Sequence, residues 1–367
     1  MLYRRSYLES RKVLADSGEV TVDITPRDPI TGLWIEIRAT NGTTNNRGNL
    51  VADCISSIEV IDGSDVLYSL DGHEAAALTM LLGGQVPSWL VDEHPSNVQD
   101  MSIFIPFGRW WGDEEYSLNP RRFTNPQVRV AWNLATITAV GVTGFTSGTG
   151  RLTVVADIME GAREPRGFLM TKQHYTSTGA ASGDDYVDLP RDHPIAMLLL
   201  RAYKSATAMN TVISQVKIDI ESGRHVPLDM RMTDLIRVMS MKLPLITYRH
   251  SFHAADGDTI KTIPKFGESV SLLPCDIDDT VVGYNHVGYG EGAIRLDTAG
   301  SAQSTARRLL AVVTGWWPFG VIGIPFGDLR TPATWLPGPS FSSMRAILTQ
   351  GAASSTIAIA LVQERLY

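Results

Sequence analysis

Three things are scarce in this sequence. Cysteine occurs twice in 367 residues, as Cys54 and Cys275. No CxxC or Cys/His spacing outlines a zinc site, so two buried thiols or at most one disulfide are expected. Charge is scarce too. Asp, Glu, Lys and Arg make up 19% of the chain, and 32 cationic residues face 39 acidic ones, for a net charge of −7. That excludes a disordered, highly charged chain. Over the bulk of the surface it also excludes a nucleic-acid coat or a polybasic membrane binder. Long apolar runs are missing as well. The most apolar stretch, Leu309 to Phe326, is broken by Thr314, glycines and prolines, and nothing approaches the roughly 18 residues of a membrane-spanning helix. The opening MLYRRSYLESRKVLA carries charges where a secretion signal would have its apolar core. A soluble protein made in a reducing or neutral compartment is expected.

What is present is alternation. Glu19 to Ile24, Leu33 to Arg38, Val128 to Trp132, Leu152 to Ile158, Val212 to Ile220, Met344 to Leu348 and Thr356 to Val362 are short β-branched or apolar runs, most in period two. Gly, Asn, Asp and Pro clusters divide them. Only two segments favour a helix. His73 to Leu82 follows Asp71 as a cap, and Met232 to Met241 follows Asp229 in the same role. The pattern is all-β with two short helices. The length suits two domains.

The two helices recur in one setting. Ile58 to Leu81 and Val216 to Met239 align without a gap, placing Leu70-Asp71 on Leu228-Asp229. Each copy is a strand, a turn at Asp62-Gly63 or Ser222-Gly223, a short strand and a helix. Ile105-Pro-Phe-Gly108 returns as Ile324-Pro-Phe-Gly327, and each half then has two further strands. A tandem duplication accounts for this order. The expected division is an arm at 1–14, a first unit at 15–162, and a second at 163–367 carrying a long loop insertion at about 242–309. The charged, Gly- and Pro-bearing stretch Glu160 to Gly167 marks the join.

Motifs for chemistry are few. No GxxxxGK[ST] or GxSxG is present. Gly144 to Gly150 fits a hairpin tip, and Gly288 to Gly292 a loop. His250 and His253 fall three apart, on opposite faces of a strand. Asp276 to Asp279 lacks the Gly and distal Glu of a calcium loop. Trp110-Trp111 beside Asp113-Glu114-Glu115 leaves open a carbohydrate-active or carbohydrate-binding surface. Trp316-Trp317 is the second tryptophan pair. Neighbours on a strand point to opposite faces, so each pair sends at least one ring away from its core, as at an interface. The first residues concentrate positive charge in Arg4, Arg5, Arg11 and Lys12. Such a segment suits an anionic surface, either lipid headgroups or nucleic acid.

Taken together, the two strand–turn–strand–helix copies, the paired IPFG segments and the stretch Leu118 to Trp132 resemble the double jelly-roll major capsid proteins of tailless icosahedral phages, the tectivirus and corticovirus type. The resemblance implies two tandem jelly-roll β-sandwiches, each with a short helix between its middle strands. It implies no catalytic residue, metal, cofactor or small-molecule substrate. It implies a homotrimeric, pseudo-hexameric capsomer packed with neighbouring capsomers and penton or minor capsid proteins into a virion shell. Trp110, Trp111, Trp316 and Trp317 would then serve interfaces. Arg4, Arg5, Arg11 and Lys12 would face an internal membrane or the genome. The insertion would form an outer tower. A minor structural protein, such as a spike, penton or tail component, fits the same residues.

Overall fold

The computed structural model describes residues 1–43, 46, 50–83, 90–135, 144–205, 207–254, 259–261, 266–275, 281–288, 291–298 and 307–367. The first half runs β1 (Leu2–Val13), β2 (Ser17–Asp23), β3 (Ile30–Thr40), α1 (Val51–Cys54), β4 (Ile55–Asp62), β5 (Asp65–Leu70), α2 (Gly72–Gly83), β6 (Leu90–Asp92), β7 (Val98–Pro106), β8 (Pro126–Asn133) and β9 (Arg151–Glu160). Its strands form two four-stranded layers, β1-β9-β3-β7 and β2-β8-β4-β5. That order is a jelly roll.

The second half repeats it. β10 (Gly167–Thr178), β11 (Gly183–Asp188), β12 (Ile195–Tyr203), α3 (Met209–Val212), β13 (Ile213–Ile220), β14 (His225–Arg231) and α4 (Met232–Ser240) come first. An inserted group follows: β15 (Ile246–Ala254), β16 (Thr259–Lys261), β17 (Phe266–Cys275), β18 (Val281–Gly288), β19 (Glu291–Thr298) and β20 (Arg307–Pro318). β21 (Val321–Pro325), β22 (Met344–Gln350) and β23 (Thr356–Leu366) close the unit. The layers are β10-β23-β12-β21 and β11-β22-β13-β14. The segment expected as a long loop therefore contains strands. They build a sheet β17-β20-β15-β6, to which the first half lends β6, and a smaller sheet β16-β19-β18.

Alternation explains the cores. Leu33, Ile35 and Ile37 on β3, Val154, Ala156 and Ile158 on β9, and Val128 and Val130 on β8 are all buried between the first pair of layers. Each such side chain contributes about 1.5–3 kcal/mol on leaving water. Cys54 is a free thiol in this core, pushed up to about 12 by burial. The side chain of Cys275 lies outside the described ones.

The repeat is closer than its residues. α1 and β4 cover 51–62, and α3 and β13 cover 209–220, the same span moved by 158 positions. The one-turn helices escape sequence reading because VADC and MNTV share no pattern. After this span the copies part. The first hairpin turns through Gly63-Ser64, and the second needs Glu221 to Arg224. Helix α4 accordingly begins two residues later than the ungapped alignment places it. Asp71 does cap α2, accepting the Glu74 N–H at 2.7 Å. Asp229 caps nothing. It lies inside β14, three residues before the helix, and binds Gln215.

The IPFG copies are equivalent in space. The Phe107 N–H donates to the Thr31 carbonyl and the Phe326 N–H to the Ala196 carbonyl, each just past the last strand of its layer. Ile30 then bridges Leu118, and Ile195 bridges Leu336. One layer from each roll is joined in parallel, Thr171 opposite Tyr68 and Lys172 opposite Ser69, making a single eight-stranded sheet.

Residues 2–13 are not a separate arm. They form β1 along β9, from Leu2 opposite Glu160 to Val13 opposite Arg151. The reason lies in β9. Its other edge is taken by β3, and without β1 this edge would leave a row of unpaired backbone groups.

Candidate functional site

Outward-facing residues of the first sheet gather around one carboxylate. Odd positions of β9 point away from the core, so Asp157 stands on the outer face, yet its neighbours cover it to 2% exposure. It accepts from Arg5 Nε at 2.8 Å, Trp34 Nε1 at 2.9 Å and Trp111 Nε1 at 3.0 Å. Three donors satisfy a charge that would be costly to bury alone. β1, β3, β9 and the loop after β7 are thereby fastened at one point. Tyr3 stacks on Trp111, with ring centroids 4.7 Å apart. Gly112 makes this approach possible. Its φ is +84°, and a Cβ there would meet the Tyr3 hydroxyl at 2.5 Å.

The loop is held from its other side by Arg109. This guanidinium grips Asp113 with two bonds, 2.7 and 3.0 Å, reaches Glu115 at 2.7 Å and donates to the Arg330 carbonyl at 3.0 Å. It also lies 4.4 Å over the Trp110 ring and 4.7 Å over Tyr116. The acids beside the tryptophans are therefore engaged. Asp113 is buried, Glu115 pairs with Arg109 and Arg166, and Glu114 alone of the three has no ion pair among the described residues. Two free carboxylates across a cleft, the requirement for glycoside hydrolysis, are not found at this loop.

Trp110 and Trp111 remain 45% and 48% exposed. They border a cavity of about 620 Å3 whose floor is Trp34, Phe104 and Thr31. The other pair stands elsewhere, on β20. There the strand rule holds, with Trp317 buried and Trp316 half-buried. Trp110-Trp111 sits in a turn, so both its rings reach the surface.

Of the four cations expected on an arm, three have acidic partners. Arg4 pairs with Glu160, Arg5 with Asp157, and Lys12 with Glu9 at 3.6 Å. Arg11 has no ion pair among the described residues, and its φ is +49° where the β1–β9 register shifts. His250 lies 3.3 Å from Glu93, both buried. The His253 side chain, Asp276 to Asp279, and Tyr289 and Gly290 within the Gly288 to Gly292 loop lie outside what the structure describes. Among the described residues no group of three or more His, Cys, Asp or Glu is placed for a metal, and no helix is long and apolar enough to cross a membrane.

The two rolls meet along a polar and apolar seam. Arg201 on β12 donates to Asp71 at 2.7 Å, and Gln173 on β10 donates to Glu74 at 3.2 Å. Burial, with Asp71 adding to it and Arg201 opposing, pushes Glu74 up to about 8. Arg365 grips Asp65 with bonds of 2.9 and 2.5 Å. Tyr116 donates to Glu364 at 2.5 Å, and Tyr367 donates to the Ser117 carbonyl at 2.8 Å.

Sequence reading missed Asp157 and Trp34, and did not join Tyr3 to Trp111. The signal was available for the first two. Trp34 and Asp157 occupy the outward register of apolar strands, where an isolated acid or tryptophan needs a partner.

No family model and no curated protein matches the chain. Solved structures do match it end to end. The STIV MCP aligns with a TM-score of 0.60 at 10% identity, covering 100% of this chain and 97% of that one. A chain from the atomic structure of Sulfolobus Turreted Icosahedral Virus aligns at 0.59 and 10% identity, covering 99% and 91%. The major capsid protein P2 from bacteriophage PM2 aligns at 0.55 and 10% identity, covering 99% and 98%. The chain thus has the double jelly-roll fold of these proteins.

Proposed function

We propose that this protein is the major capsid protein of an icosahedral virion and has no enzymatic role. One observation carries the reading: the likeness to capsid proteins spans both rolls and nearly the whole of the matched chains. The acids bound to Arg109 argue against the carbohydrate alternative.

In this reading the two rolls, β1 to β9 and β10 to β23, stand side by side. Three chains close into a pseudo-hexameric capsomer, which packs against its neighbours and against penton or minor capsid proteins. The capsomers belong to the virion and are made in the host cytoplasm. Strands of the 242–309 segment form the outer tower. Trp110 and Trp111 serve an interface, and Trp316 and Trp317 support the tower base. The cationic residues Arg4, Arg5, Arg11 and Lys12 line the side facing an internal membrane or the genome. With three of them paired, Arg11 is the one left for such a surface.

The test is the mass and shape of the purified protein. Light scattering should give about 120 kDa, three times the 40.1 kDa chain, and negative-stain images should show hexagonal particles. A monodisperse monomer at micromolar concentration overturns the reading.

A further inference from the structure

The seam between the first and the second roll of one chain supplies a template for another contact. Helix α2 belongs to the first roll but also packs on β20 and β21 of the second. Leu81 is the side chain that reaches across. A Cβ at Gly323 of β21 would lie 3.7 Å from the Leu81 Cδ1. Leu78 and Leu82 line the same seam, where only about 20 Å3 remains unfilled.

Each partner in this contact has a counterpart that stays at least partly exposed in a single chain. Matching helix starts, Gly72 with Met232, puts Leu78 on Val238 and Leu81 on Met241. Leu78 and Leu81 are buried, whereas Val238 is 38% and Met241 89% exposed. The inner sides of the two helices agree, since Ala75 and Thr79 are buried like Leu235 and Met239. On the receiving side, the IPFG copies put Phe104 in the place of Gly323. Above Phe104 lies the 620 Å3 cavity bordered by Trp110 and Trp111. It is continuous with the existing seam, for Leu82, Pro106, Gly108 and Arg109 line both. A helix edge with exposed apolar side chains and a cavity lined by Trp34, Phe104, Trp110 and Trp111 thus occur on one molecule, at equivalent positions.

We infer that the α4 edge of one copy, led by Val238 and Met241, inserts into the Phe104–Trp110–Trp111 cavity of the next. This rests on the capsomer reading and specifies its joint. Such a contact is heterologous, so its repetition closes a ring when the rotation allows. Exposed apolar anchors meeting aromatic pockets are where association energy concentrates.

The full-length chain is tested with Val238→Asp and Met241→Asp, together and apart. Each is expected to weaken association roughly 30-fold or more by sedimentation, with circular dichroism and unfolding midpoint unchanged because both side chains are exposed. A second measurement mixes Ser102→Cys chains with Met241→Cys chains under mild oxidation. A cross-linked dimer should form in the mixture and in neither variant alone. Trimers that survive both Asp variants, with no cross-link in the mixture, overturn this inference and leave the capsomer reading standing. A monomeric wild type overturns both.

Discussion

Helices α2 and α4 hold the same place in the two rolls and live in different surroundings. α2 is buried along most of its length, with Ala75, Ala76, Ala77, Leu78, Met80 and Leu81 all inaccessible and Leu82 exposed near its end. α4 buries Met232, Leu235 and Met239 and leaves Arg237, Val238 and the cap residue Met241 in the open. The receiving faces differ in parallel. Gly32 lies opposite Asp157 in the first roll, and Met197 opposite Val362 in the second. Where the second roll offers the apolar Val362 to α2, the first carries an acid bound to two tryptophans. One copy of the repeated unit thus makes a joint within the chain, and the other is the copy inferred above to make one with another molecule.

The largest expected effect concerns the charge that α2 buries. Glu74 ionises in the folded state only near pH 8, well above its value of about 4.3 in an unfolded chain. The folded state therefore holds this proton more tightly. Its stabilising contribution is complete below about pH 4.5 and is lost as pH rises through about 8, a change on the order of a few kcal/mol. Glu74→Gln should flatten the dependence of unfolding midpoint on pH across that window. The exposed Asp234 of α4 offers the contrast, since Asp234→Asn should change stability by less than about 0.5 kcal/mol.

Packing gives the next effect. Leu81→Ala should cost about 2–4 kcal/mol in urea unfolding, because the seam has little room to collapse. Met241→Ala at the matching position should alter chain stability by no more than about 0.5 kcal/mol. Equal costs would show that the two helices are not the inside and outside versions of one joint.

Asp157→Ala should cost about 2–3 kcal/mol by leaving the Trp34 and Trp111 indoles and Arg5 without their acceptor. Fluorescence should report the loop release as a red shift. The smallest effect is at the hairpins. Gly63→Ala faces open space but a φ of +62°, and about 1 kcal/mol is expected. In the four-residue turn of the second roll, Ser222 already accepts a positive φ of 55°.

Much of the architecture was legible in the sequence because alternation and repeats are local. Strands with one buried face announce themselves, and IPFG marked equivalent ends correctly. The hairpin lengths differ by two residues without any apolar signal, which is why Asp229 looked like a cap. The strands of the 242–309 segment were read as loop, since their Gly, Asp and Tyr content lacks a clean period. The segment 1–14 looked like an arm because five of its residues are charged and none recurs in the second half. Its pairing with β9 is a contact across some 150 positions, and no local pattern reports that. The Trp110-Trp111 pair was visible as a surface feature. Its fastening to Asp157 was not.

The ladder registers carry one more consequence. Leu2 lies opposite Glu160, and Leu366 lies opposite Gly167. Both chain ends therefore meet the short connection between the rolls at one edge of the molecule. A fusion at either end emerges beside the other. A variant with Leu2 and Leu366 linked and the chain reopened at the Glu221–Arg224 turn should keep the strand ladders.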